Sequence, residues 1–170
     1  MLFRSADADK FAAGWVKDHA DDVAFQFYLG DFAIAKKDYA VAEKNYSAVV
    51  RMQPTNAAAF NNLAWVTGKL NKPGAIEFAE TANRLAPNQP ALMDTLAMLL
   101  SDKKEYAKAL EWQSKAVTAQ PQNAMFKLNL AKIHISGGKK DLARKELEEL
   151  AKLGDKFAGQ AEVASLMKAL

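Results

Sequence analysis

The residues best suited to chemistry are His19 and His134, the acids Asp18, Asp21 and Asp22, and the glycine pair Gly137-Gly138 ahead of Lys139. Asp18, His19, Asp21 and Asp22 carry the donor types of a metal site. Neighbours at a helix end point in different directions, however, and a histidine there reads as a cation complementing the helix dipole. His134 falls inside a helical apolar pattern and reads as a satisfied packing residue. Gly137-Gly138-Lys139 lacks the glycine spacing and the preceding strand of a phosphate-cradling loop. No serine stands in a nucleophile-elbow context. With no cysteine in the sequence, thiolate catalysis, disulfides and cysteine-ligated metals are excluded. The chain reads as having no catalytic residue, no metal site and no cofactor.

The elements that would position any site show best between Pro90 and Pro121. Leu92, Leu96, Leu99 and Leu100, and then Ala109, Trp112, Ala116 and Val117, recur at the spacing of two buried helical stripes. The polar turn Ser101-Asp102-Lys103-Lys104 joins them and is expected to supply capping oxygens for the second helix. Pro90 fits the first turn of its helix, and Pro121 lies past the end of the other. The unit recurs: Pro121, Pro87, Pro54 and Ala20 follow at intervals of 34, 33 and 34 residues. Leu29-Gly30, Leu63-Ala64, Leu96-Ala97 and Leu130-Ala131 hold the seventh and eighth places of each unit, and Ala42, Ala75, Ala109 and Ala143 the twentieth. Only a small residue lets two helix backbones approach closely where they cross. A period of 34 is that of the tetratricopeptide repeat, and the chain resembles that family across nearly its whole length.

Half of the 170 residues are hydrophobic and Gly and Pro are few, which excludes disorder. The net charge of +3 is too well mixed with acids to predict nucleic-acid binding. The first ten residues lack the apolar core of a signal peptide. The register predicts one all-α array over 1–170, a right-handed superhelix of antiparallel hairpins. A half repeat at 6–20 precedes four units at 23–56, 57–89, 90–123 and 124–153, and a capping helix closes the array at 155–170. A bare half repeat suggests a piece of a longer array, with a sticky edge prone to self-association. In the capping helix Phe157, Ala161, Ala164 and Met167 are expected on one face. Lys36-Lys37-Asp38-Tyr39, Lys103-Lys104-Glu105-Tyr106 and Lys139-Lys140-Asp141-Leu142 read as equivalent solvated turns, each with a capping acid.

In the tetratricopeptide family the first helix of each unit lines a concave groove. Carried over by place, the resemblance implies a peptide-binding groove of Phe27, Asp31, Asn61, Asn62, Trp65, Asp94, Met98, Leu128, Asn129 and Lys132. Phe27, Trp65, Met98 and Leu128 would form an apolar spine, and Asp31 and Asp94 would favour a basic or amide-rich ligand. The carboxylate clamp of the chaperone-binding members is not matched, because Phe27 and Asp31 replace its Lys and Asn. Asn61-Asn62-Leu63-Ala64-Trp65, Asp94-Thr95-Leu96-Ala97 and the closing Phe157 and Ala161-Glu162 resemble the tetratricopeptide lipoproteins of bacterial PEP-CTERM (exosortase) systems. That resemblance implies a non-enzymatic scaffold for a protein or peptide within envelope exopolysaccharide assembly. It also implies a periplasmic or outer-membrane-associated place, with any lipid anchor outside this chain; the alternative is cytoplasmic. The rival function is the substrate-recognition domain of a larger enzyme such as a glycosyltransferase. RNA binding through a related repeat is disfavoured by the period and by the lack of base-reading pairs.

Overall fold

Three of the four first helices start where a polar side chain occupies free N–H groups of the opening turn. The computed structural model describes Lys10, Gly14, Trp15 and residues 17–170. Asp22 caps α1 (Val23–Ala35), Asn56 caps α3 (Ala57–Lys69) and Asn123 caps α7 (Ala124–Ser136), each side chain accepting from backbone N–H groups inside the helix. The equivalent Gln89 makes no such bond; α5 (Pro90–Asp102) instead begins on Pro90, which has no N–H to satisfy. The second helices are α2 (Tyr39–Met52), α4 (Ala75–Leu85), α6 (Tyr106–Ala119) and α8 (Lys140–Ala151). A short 3₁₀ turn (Gly154–Lys156) leads to α9 (Gln160–Ala169). Among the described residues there is no strand, and the fold is all-α, made of stacked helix pairs. The half repeat expected at 6–20 lies largely outside the described residues.

Every first helix is closed by the same turn. Asp38, Lys72, Glu105 and Lys139 donate backbone N–H bonds of 2.8–3.0 Å to Ala33, Thr67, Leu100 and His134, five residues back. The residue before each donor is left-handed: Lys37 at φ 60°, Asn71 at 53°, Lys104 at 64° and Gly138 at 75°. This is the Schellman closure, which occupies carbonyls that the helix end would otherwise leave free. Two expectations change here. Ser101 and Asp102 finish α5 rather than capping α6, whose N-cap Glu105 makes no side-chain cap bond. Lys139 holds the N-cap place of Asp38 and Glu105. The lysine pair 139–140 therefore stands two positions later than 36–37 and 103–104, because Gly137 and Gly138 fill those places.

The chain divides into two compact units, Met1–Phe78 and Ala79–Leu170. In the first, α2 packs on both α1 and α3. In the second, α5 pairs with α6, α7 packs on α5, α6 and α8, and α9 lies on α8. The small residues stand where the register puts them. Ala42, Ala64, Ala97, Ala109, Ala131 and Ala143 are fully buried, and Gly30 and Ala75 are buried.

The C-terminal segment departs from the expected 155–170 helix. Gly154 is left-handed and Phe157 is extended, which turns the Phe157 ring into a cluster with Leu128, Ala131, Leu147, Leu150 and Val163. A Cβ at Gly159 would come within 2.4 Å of that ring, so this place takes only glycine without a shift. α9 then begins at Gln160, whose side chain donates to the Leu150 carbonyl at 2.8 Å. Its inward face is Val163, Leu166, Met167 and Leu170, while Ala161 and Ala164 are exposed.

Candidate binding surface

In the first unit α1 and α3 bring Phe27, Asp31 and Asn62 around one residue of α2. Tyr46 is fully buried, and its hydroxyl donates to Asp31 Oδ1 at 2.5 Å. Asn62 Nδ2 reaches the same oxygen at 3.5 Å. Phe27 packs edge-on against the Tyr46 ring, with centroids 5.5 Å apart. Burial and the adjacent Asp31 carboxylate push the Tyr46 phenol well above its usual range, so it stays a donor. Asp31 is exposed, and no hydrogen bond reaches its Oδ2 among the described residues. Asn61 donates to Asn62 Oδ1 at 3.4 Å, and its own Oδ1 is buried without a partner.

Trp65 lies one turn further along α3. Its ring is half-buried against the core cluster of Tyr46, Leu63 and Val66. The Tyr39 ring meets it edge-on at 5.6 Å, and Lys69 Nζ sits 5.2 Å from its centroid. Trp65 is thus part core and part surface.

The second unit carries a related arrangement with a different outcome. Asp94 on α5 accepts from Gln113 Nε2 at 2.6 Å and from Asn129 Nδ2 at 2.9 and 3.0 Å, so both its oxygens are engaged. Gln113 also donates to the Phe126 carbonyl at 2.9 Å. Burial raises the Asp94 carboxyl above its usual range, opposed by the two amide donors and by Lys132.

Four expectations need correction here. Asp94 is tied to its own fold rather than turned to a ligand. Asn129 is 8% exposed, with its amide on Asp94, and does not sit at a rim. Leu128 is 0% exposed, in the cluster with Phe157 and Val163, because the C-terminal segment covers it. Lys132 pairs with Glu162 of α9 at 2.6 Å, and Met98 is half-buried. His134 is not the satisfied residue expected, since its Nδ1 is buried without a partner. Burial and Lys139 lower its pKa and keep the ring neutral. The acidic run around His19 does not assemble into a metal site: among the described residues no group of three or more His, Cys, Asp or Glu could hold an ion. The His19 ring instead stacks on Trp15 at 4.0 Å.

The sequence reading does not single out Tyr46 or Gln113. Both occupy the twenty-fourth place of their units, two repeats apart, and Asn62 and Asn129 share the sixth place at the same interval. That double coincidence is the one sequence signal of the shared arrangement.

Sequence models of the tetratricopeptide repeat match residues 11–57 and 91–123. Those two stretches carry the tetratricopeptide pattern, and the stacked helix pairs form a tetratricopeptide-like solenoid. No curated protein matches it. Among solved structures it is similar to MamA 41-end from Desulfovibrio magneticus RS-1, with a TM-score of 0.75 and 17% identity over 88% of this chain and 85% of that one. YrrB, described as a tetratricopeptide protein with an unusual peptide-binding site, gives 0.73 and 18% over 95% and 81%. The TPR2B domain of yeast Sti1, solved as a complex with pHsp70, gives 0.62 and 24% over 69% and 97%. At these identities the likeness is one of fold. Among the described residues no helix is long and apolar enough to cross a membrane.

Proposed function

We propose that this chain is a non-enzymatic scaffold that binds a protein or peptide segment on the face made by Phe27, Asp31, Asn61, Asn62 and Trp65. The observation that carries the reading is the union of half-buried aromatic rings with an open polar acceptor, Asp31 Oδ2, on neighbouring helices of one unit. Rings held by their own core contacts give apolar area at little entropic cost, and a few fixed polar atoms orient the bound segment. The fold likeness to YrrB and to the Sti1 domain supports a peptide ligand, and no feature of this face favours nucleic acid. The test is calorimetry with peptides captured by this chain from the native host. Trp65→Ala should weaken binding by about 2 kcal/mol with helical content nearly unchanged. Unchanged affinity would remove Trp65 from the site.

The resemblance of 61–65 and 94–97 to the exosortase-system lipoproteins supports a finer proposal. The scaffold then serves envelope exopolysaccharide assembly from the periplasmic side, with any lipid anchor outside this chain and with self-association through residues 6–20. Fractionation of the native host checks the compartment, and a purely cytoplasmic protein would count against it.

A further inference from the structure

The two units use the same parts to hold a carboxylate: an aspartate on a first helix, a buried donor on the following second helix, and an asparagine from the next first helix. In the second unit the aspartate stands at the fifth place of its repeat, and three N–H···O contacts occupy both oxygens of Asp94. In the first unit it stands at the ninth place, one helical turn further along. There Tyr46 and Asn62 share Oδ1, and Oδ2 of the exposed Asp31 is left open. A clasp needed only for packing would be closed as Asp94 is. Among the described residues no cation pairs with Asp31; Lys72 of this unit pairs with Glu43.

We infer that Asp31 reads a lysine side chain of the bound segment, with Tyr46 as the residue that positions the carboxylate; this rests on the binding face proposed above. The ammonium donates to Oδ2, and no proton needs to move. Because Oδ1 already accepts from Tyr46, the carboxylate offers one free oxygen. That suits the point charge of lysine better than the two-pronged guanidinium of arginine. The Tyr46 ring is fixed on every side by the core, so its hydroxyl holds the carboxylate in one rotamer before the ligand arrives. Phe27, edge-on to Tyr46, and Trp65 supply apolar surface for the stem of the lysine and its neighbours.

The experiment uses two synthetic probes on the full chain: a blocked octapeptide with a central lysine between apolar residues, and the same peptide with acetyl-lysine. Titration is followed by calorimetry and by the side-chain amide resonances of Asn61 and Asn62 and the Trp65 indole resonance. The expected result is that the lysine peptide shifts these resonances and binds at least about tenfold tighter than the acetylated one, the scale of one hydrogen bond to a charged group. Asp31→Asn should abolish that preference. Tyr46→Phe should reduce it while leaving the acetylated peptide's affinity unchanged, which a merely structural loss would not do. Equal binding of both peptides, or a preference that survives Asp31→Asn, overturns the inference and leaves the binding face standing. If neither peptide shifts Asn61, Asn62 or Trp65, the face and the inference fall together.

Discussion

Gly30 lies directly against the ring of Tyr46: a Cβ added to the glycine would stand 2.6 Å from Cε1 and 2.7 Å from Cζ. The other repeats carry alanine at this place. Only in the first is the facing residue a tyrosine; Ala79, Gln113 and Leu147 take its place elsewhere. The glycine is therefore the partner of the tyrosine, and the tyrosine holds Asp31. Gly30→Ala should cost about 1–2 kcal/mol of stability in the native background, where overpacking exceeds the gain in helix propensity. In a Tyr46→Leu background the same change should stabilise by up to about 1 kcal/mol. Denaturant titration of the four proteins gives the coupling, and additive effects would refute the contact.

The half-buried Asp94 makes stability depend on pH in a definite direction. Its folded pKa is raised above the ordinary 3.8, so the native state binds the proton more readily than the unfolded chain does. This stabilising contribution is fully present below the unfolded value and is lost as pH rises through the folded value. Relative to Asp94→Asn, the native protein should thus gain stability as the pH falls from neutrality to about 4. Urea midpoints of both proteins across that range check the slope, and parallel curves would contradict it. Asp94→Leu should cost about 2–3 kcal/mol at neutral pH, because the Gln113 and Asn129 amides lose their acceptor.

The left-handed lysines are strained in a way that glycine would relieve. Lys37 and Lys104 hold the conformation that Gly138 adopts in the fourth repeat. Lys37→Gly and Lys104→Gly should each raise stability by about 0.5–1 kcal/mol, offset in part by the greater freedom of glycine in the unfolded chain. Gly138→Ala should lower it by about 1 kcal/mol. Thermal and urea midpoints measured by circular dichroism decide the signs.

The C-terminal helix is held by its apolar face rather than by its ion pair. Lys132 and Glu162 are 27% and 48% exposed, and such pairs contribute at most about 1 kcal/mol. Val163 is 1% exposed within the cluster that contains Leu128 and Phe157. Glu162→Gln should leave the melting curve almost unmoved, while Val163→Ala should cost about 2 kcal/mol. Hydrogen exchange of α9 amides would report the loosening locally.

The repeat was legible because its small residues answer a steric demand that recurs in every unit. Leu29-Gly30 and Leu96-Ala97 have no other reason to keep step. One helix start was legible through Pro90, while the caps Asn56 and Asn123 emerge only once their side chains are seen accepting from the first turn. The candidate site was less so. Tyr46 reads as an ordinary core aromatic, and Gln113 reads as a surface amide until its carboxylate partner is in view. Counting places puts Leu128 and Lys132 on the surface. The segment that covers Leu128 and pairs with Lys132 obeys no period, so counting could not reveal it. The lysines 139–140 misled by likeness of letters, since what recurs in the turns is a left-handed residue, whether lysine, asparagine or glycine.

The one-turn offset between Asp31 and Asp94 also bears on how such an array could be lengthened by gene duplication. Copying the segment from α1 to α3 would add another outward carboxylate with each copy, and so a row of charge readers along the chain. Copying the segment from α5 to α7 would add length and internal fastening alone. A lineage, or a designer, could thus tune the number of ligand contacts independently of the number of repeats.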